Sequence, residues 1–234
     1  MATFVLVHGA FQGGWVWGGV RNTLRAQGHE VHTPTLTGCG HLHHGLDQAA
    51  GLSAYVQDVT AYLEFEDLSD AVLVAHSYSG MICCAVMMRA PERISRAVFV
   101  DAMIPDSNRS FADMAGDKFR QMLQANLGEN GMVRPWPLPV FGVPEDKAAW
   151  FQPRLREFPM AGFTEPLPGE FDPSRKAAAF VACTQTMSPF IRAMADKART
   201  LGWSVQEMES GHCPMVSHPE LTTHKILAAL PEAA

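Results

Sequence analysis

The chain has 234 residues, 47% apolar and 18% charged, enough for one large core without metal or disulfide staples and too apolar for disorder. Asp and Glu outnumber Lys and Arg by 24 to 18, which excludes a surface built to neutralise nucleic-acid phosphates. No apolar stretch approaches the ~20 residues of a membrane span, so neither nucleic acid nor a membrane is an expected partner.

The chain runs from Met1 directly into strand-like sequence, with no basic leader segment. Phe4 to Val7 is an uninterrupted apolar run, as in a parallel strand covered on both faces. A helix is predicted from Trp15 to Gln27, stopping at Gly28, and then a short strand from Glu30 to Thr33. Ser53 can cap a helix with the stripe Val56, Val59, Ala61 and Leu63. Ala71 to Ala75 is a second buried strand, followed by a helix through Met81, Ile82, Ala85 and Met88 that ends before Pro91. Further strands are Ala97–Val100, Ala177–Cys183 and Trp203–Met208, and helices start at Ser188-Pro189 and His218-Pro219. This rhythm predicts an α/β fold: an open, mostly parallel six-stranded sheet with helices on both faces.

Residues 103–174 break the rhythm. They hold ten of the 16 prolines, together with Trp136, Trp150, Phe141, Phe151, Phe158 and Phe163. A βα connection needs only a few residues, and aromatics on a loop-rich insertion need something to cover. The expected organisation is a core of residues 1–102 and 175–234 with 103–174 as a lid. The five cysteines (Cys39, Cys83, Cys84, Cys183, Cys213) are odd in number and lack CxxC spacing. They read as reduced thiols of a cytoplasmic protein.

Three motifs carry chemistry. Ala75-His-Ser77-Tyr78-Ser79-Gly80 lies between a strand and a helix, where a nucleophile elbow needs a Ser flanked by small residues two positions away. The following helix points its N-terminal N–H groups at Ser77. His8-Gly9-Ala10 ends the first strand, and Gly9 would let the backbone turn tightly and aim the Ala10 N–H at the same centre. Gly211-His212 follows the last strand, within reach of a nucleophile on a neighbouring strand end. Cys39, His41, His43 and His44 are metal-ligand types, but they share one loop without a closing carboxylate and read as a polar loop near the pocket mouth.

These residues extend to a resemblance over the whole chain. Phe4-Val-Leu-Val-His-Gly-Ala10, Gly13-Gly-Trp-Val-Trp17, the elbow from Ala75 to Gly80 and the His loop from Gly211 to Pro219 are similar to the α/β-hydrolase superfamily. More closely they resemble its cofactor-free branch of EstC-like bacterial esterases, plant methyl-ester hydrolases and hydroxynitrile lyases. The resemblance implies Ser77 as nucleophile, His212 as base, the Ala10 and Tyr78 N–H groups as oxyanion hole, and no metal or organic cofactor. Phe11, Trp136 and Met215 are the candidate substrate contacts, with Met208 and Met215 beside His212 as adaptable pocket walls.

The sequence departs from the branch in two ways. The usual acid follows the strand that here ends at Cys183, where this chain reads Thr184-Gln-Thr-Met-Ser188 without a carboxylate. Asp101, one strand earlier, is the candidate acid, and a Ser–His dyad with a structural Asp101 stays open beside it. The lyases carry a Thr in the slot of Gly9 and a Lys in the slot of Met187, and neither is present. The expected function is therefore a serine hydrolase of a small apolar or aromatic carboxylic ester. Lactone opening, C–C bond hydrolysis, lyase-like activity and a non-catalytic ligand-binding protein are the alternatives. A small-molecule ester is the expected partner, and a homodimer is left open.

Overall fold

The computed structural model describes residues 1–45 and 50–230. In chain order its sheet and helix elements begin with β1 (Thr3–Val7), α1 (Gly18–Ala26), β2 (Glu30–His32), α2 (Leu52–Phe65), β3 (Ala71–His76), α3 (Ser79–Arg89) and β4 (Ile94–Val100). The insertion then contributes α4 (Phe111–Ala115), α5 (Asp117–Ala125), β5 (Met132–Val133), α6 (Leu138–Phe141), α7 (Glu145–Phe151), β6 (Phe158–Pro159) and α8 (Met160–Thr164). The chain returns with β7 (Ala177–Cys183), α9 (Pro189–Arg192), α10 (Met194–Thr200), β8 (Ser204–Met208), α11 (Pro214–Ser217) and α12 (Pro219–Ala228).

Six strands form one wholly parallel sheet in the order β2-β1-β3-β4-β7-β8. Every residue of β3 is buried, which explains why the central strands read as unbroken apolar runs. The register pairs Val7 with Ala75, His76 with Val100, Val100 with Val181, and Cys183 with Met208. The carboxyl ends of β1, β3, β4, β7 and β8 thus share one edge, and the residues just after them (Ala10, Ser77, Asp101, Thr186 and His212) converge there.

Two local expectations are corrected. The stretch from Trp15 to Gln27 is not one helix: a 3-10 turn over Gly14–Trp17 precedes α1. Ser53 does not cap α2, which starts at Leu52 after Gly51. Its backbone N–H instead donates to the Glu165 carboxylate at 3.2 Å, so the cap arrives from the end of α8. A carboxylate at a helix N-terminus satisfies orphan N–H groups and the dipole together. Ser188, by contrast, caps α9 as expected, its hydroxyl accepting from the Ile191 N–H at 3.3 Å.

The insertion stands outside the sheet as short helices and the two-stranded β5–β6 ladder. It is held to the core along the site: Arg156 N–H donates to the Phe11 carbonyl, and Cys213 N–H donates to the Phe141 carbonyl, both at 2.9 Å. Lys147 Nζ adds a bond to the Val216 carbonyl at 2.7 Å.

Gly80 marks the tightest approach under the elbow. A Cβ there would lie 1.8 Å from the Met103 carbonyl oxygen, a backbone atom that cannot swing aside. Gly80→Ala is expected to cost about 3 kcal/mol or more. Urea denaturation reads this directly, and a loss below 1 kcal/mol, on the order of a tolerated surface change, would show that the elbow yields.

Candidate active site

Ser77 sits directly after β3 with φ +55°, the left-handed region that an L-residue enters only under constraint. Two bonds hold it: its carbonyl accepts from Met103 N–H at 2.9 Å and from Gly80 N–H at 3.2 Å. Ser79 does more than remain small. Its hydroxyl donates toward the Val7 carbonyl (2.8 Å) and accepts from His76 N–H (2.8 Å), tying the elbow to the end of β1. Gly9 is required for space rather than for its dihedral: a Cβ there would lie 2.9 Å from the Ser77 Cβ. The left-handed residue of that turn is Phe11, at φ +69°.

The imidazole of His212 bridges two groups. Nε2 is 2.9 Å from the Ser77 hydroxyl oxygen, and Nδ1 is 2.6 Å from Asp101 Oδ2. With Nδ1–H donating to the carboxylate, Nε2 presents a lone pair to the hydroxyl. Asp101 is buried, follows β4 at φ +47°, and keeps β-register through its N–H bond to the Val181 carbonyl at 2.8 Å. Its Oδ1 accepts from Cys183 N–H at 3.2 Å, and Oδ2 accepts from the Thr186 hydroxyl at 2.5 Å.

His76 is a site residue that sequence reasoning missed, although it occupies a slot of the elbow motif. Its Nε2–H donates to the His212 carbonyl at 2.7 Å, and its Nδ1 is buried without a partner. Burial, reinforced by the adjacent His212, holds its pKa well below the imidazole range. His8 is fixed in its neutral form by donating from Nδ1 to the Gly9 carbonyl (2.8 Å) and accepting at Nε2 from Leu36 N–H (3.1 Å). Burial lowers its pKa to about 4.

These two histidines make stability depend on pH. Below about 6.5 the unfolded chain takes up protons that the folded chain refuses, so stability is lost as pH falls from there toward 4. Each buried histidine contributes a slope of about 1.4 kcal/mol per pH unit, so His8 alone accounts for roughly 3 kcal/mol across the window. His8→Asn should flatten urea-unfolding free energies between pH 6.5 and 4.5 by about one such slope. An unchanged slope would assign the dependence elsewhere.

Ser77, His212, Ala10 and Tyr78 open on a cavity of about 520 Å³. Its far wall is aromatic: Phe111, Phe119, Trp136, Phe141, Phe163 and Phe190. Phe11 also faces the cavity and meets Trp136 edge-to-face at 4.9 Å. Met215 does not. It is buried on α11, which packs against α1 and the Gly14–Trp17 turn, and is not the substrate contact expected of it. Gln12 lies on the cavity wall, its Nε2 donating to Cys213 Sγ at 3.3 Å.

The Cys39–His44 loop does not border the cavity. Cys39 is buried, His43 Nδ1 bonds the Gly40 carbonyl at 3.2 Å, and Gly40 packs against Gly13 and Trp15. Among the described residues no three His, Cys, Asp or Glu side chains converge as a metal site, and no helix is long and apolar enough to cross a membrane.

A serine held on a strained strand-to-helix turn, with a histidine and a buried carboxylate in line behind it, is the constellation by which open parallel α/β folds attack acyl carbons. The chain belongs to the α/β hydrolase family, whose model matches residues 4–224. It is 31% identical to the carbendazim hydrolyzing esterase of Nocardioides sp. (strain SG-4G), over 97% of this chain and 99% of that protein. Methyl jasmonate esterase 1 of Vitis vinifera is 32% identical over 62% of this chain and 58% of its own length. An α/β-hydrolase from a Paenibacillus species superposes with a TM-score of 0.85 at 24% identity, covering 98% of this chain and 99% of that one. The protein is thus an α/β hydrolase of the carboxylesterase type.

Proposed function

We propose that the enzyme cleaves a small carboxylic ester with an apolar or aromatic part through an acyl-enzyme on Ser77. The observation that carries this reading is the continuous chain from Ser77 Oγ through His212 to Asp101, opening on an aromatic cavity. As Oγ attacks the ester carbon, His212 Nε2 takes its proton. The N–H groups of Ala10 and Tyr78 receive the oxyanion, and Asp101 stabilises the imidazolium. His212 returns the proton to the leaving alcohol, then activates the water that releases the acid.

The aromatic wall belongs almost entirely to the insertion, which supports its assignment as a cap over the acyl or alcohol group. The esterase relatives support the same substrate class. Hydrolysis is favoured over lyase chemistry because Gly9 and Met187 stand where lyases of the branch carry a Thr and a Lys, so neither that hydroxyl nor that cation is supplied. We assign the enzyme to the cytoplasm, supported by five cysteines that are all buried free thiols.

The test is turnover of p-nitrophenyl acetate and butyrate, with pre-steady-state detection of p-nitrophenol and labelling by a fluorophosphonate. Ester turnover together with stoichiometric labelling at Ser77 is the expected result. A chain that neither turns over nor labels would sink the acyl-enzyme reading.

A further inference from the structure

The end of β7 and the turn after it, from Cys183 to Thr186, carry no carboxylate, yet they bond both Asp101 and the chain that leads into His212. On one side, Thr184 N–H and Gln185 N–H donate to the carbonyls of Met208 and Ser210, both at 3.0 Å, just ahead of His212. On the other, Cys183 N–H takes Asp101 Oδ1 and the Thr186 hydroxyl takes Oδ2, the oxygen that also accepts from His212 Nδ1. Thr186 is buried, and its N–H bond to the Cys183 carbonyl at 3.3 Å closes the turn that aims its side chain.

We infer that Thr186 is a positioning residue for the proton relay: its hydroxyl fixes the rotation of the Asp101 carboxylate so that Oδ2 lies in line with His212 Nδ1. The inference rests on Asp101 being the acid of the proposed mechanism. Without Thr186 the carboxylate keeps the Cys183 N–H and the imidazole itself, and only the first of these holds it independently of the ring it must orient. The Thr186 hydroxyl, converging on the same oxygen as the imidazole, adds a second independent hold without occupying the imidazole's direction. Thr186 also borders the cavity, but its hydroxyl is bonded to Asp101, so a substitution that keeps the side chain's shape leaves that wall in place and should lower kcat with KM nearly unchanged.

Thr186→Val keeps the shape and deletes the donor, and Thr186→Ser keeps the donor. Thr186→Val is expected to lower kcat roughly 10- to 100-fold, with KM within about twofold and kcat normalised to fluorophosphonate-titrated sites. Thr186→Ser should stay within about threefold of wild type. Val and Ser variants of equal kcat, both active or both impaired, overturn the inference. Should neither variant fold, Thr186→Ala decides, made alone and in Asp101→Asn: it should lower kcat at least ~10-fold in the wild type and less than about twofold where the carboxylate is gone, and an equal factor in both backgrounds overturns the inference. A fully active Asp101→Asn overturns the triad assignment and Thr186 with it, whereas an inactive Asp101→Asn beside equal Val and Ser variants overturns Thr186 alone.

Discussion

Ser77→Ala is expected to lower kcat for p-nitrophenyl butyrate by a factor on the order of 10³ to 10⁶ and to abolish fluorophosphonate labelling. His212→Ala should do nearly as much, because a nucleophile and its base act as one unit and their losses do not add. The cavity offers no substitute nucleophile. Cys183 and Cys213 are buried, with thiol pKa values driven upward by desolvation, so neither supplies a thiolate. Of the other hydroxyls on the cavity wall, that of Thr186 already donates to Asp101 and that of Ser188 caps α9 without a base beside it among the described residues, and Lys118 stands exposed at the cavity rim. Residual turnover in the two variants should be equal within a few-fold and should reflect binding and the oxyanion donors alone. A Ser77→Ala enzyme that still labels and turns over would place the nucleophile elsewhere. The control is built in: Ala retains the Cβ at φ +55°, so the substitution leaves the elbow's constraint in place.

What could be read from the sequence follows the range of the interactions involved. The central strands were legible because burial on both faces leaves an uninterrupted apolar run, as in Phe4–Val7 and Ala71–Ala75. Ser77 was legible because it follows such a run between small residues, and His212 because it follows Gly211 just past a predicted strand, local patterns with a steric reason. The contacts that finish the site are long-range, and local pattern is silent about them. Glu165 caps a helix 112 residues away, and Thr186 reaches a carboxylate 85 residues away. His76 bonds the His212 carbonyl across 136 positions. Met215 looked like a pocket residue by proximity in sequence to His212, but it is buried on α11, which packs against α1, and does not line the cavity. Gly9 and Phe11 show the same limit at short range. Position 9 is glycine because Ser77 lies against it in space, while the left-handed turn falls on an aromatic residue, where no composition rule points.

Asp101→Asn separates a triad from a dyad. The carboxylate oxygen 2.6 Å from His212 Nδ1 also accepts from Thr186, so in the wild type both neighbours act as donors. An asparagine there has one oxygen and one NH₂. Cys183 N–H and the Thr186 hydroxyl both require an acceptor, and whichever the amide oxygen serves, His212 loses its anionic partner. With NH₂ toward the imidazole, the ring must carry its proton on Nε2, the nitrogen that faces Ser77, and it can no longer take the hydroxyl proton. The expected loss is roughly 10²- to 10⁴-fold in kcat. KM should stay within about twofold, since Asp101 is shut away from the cavity at 1% exposure. Near-wild-type kcat would mean that His212 is oriented by its backbone anchors alone. Those anchors are the His76 bond to its carbonyl and the Phe141 bond to the next N–H. They fix where the ring begins but leave its rotation free, and the carboxylate is the only charged group bonded to the ring among the described residues. An imidazole that must exchange a proton twice per turnover needs that rotation fixed, and a neutral amide offers neither the charge nor the correct tautomer.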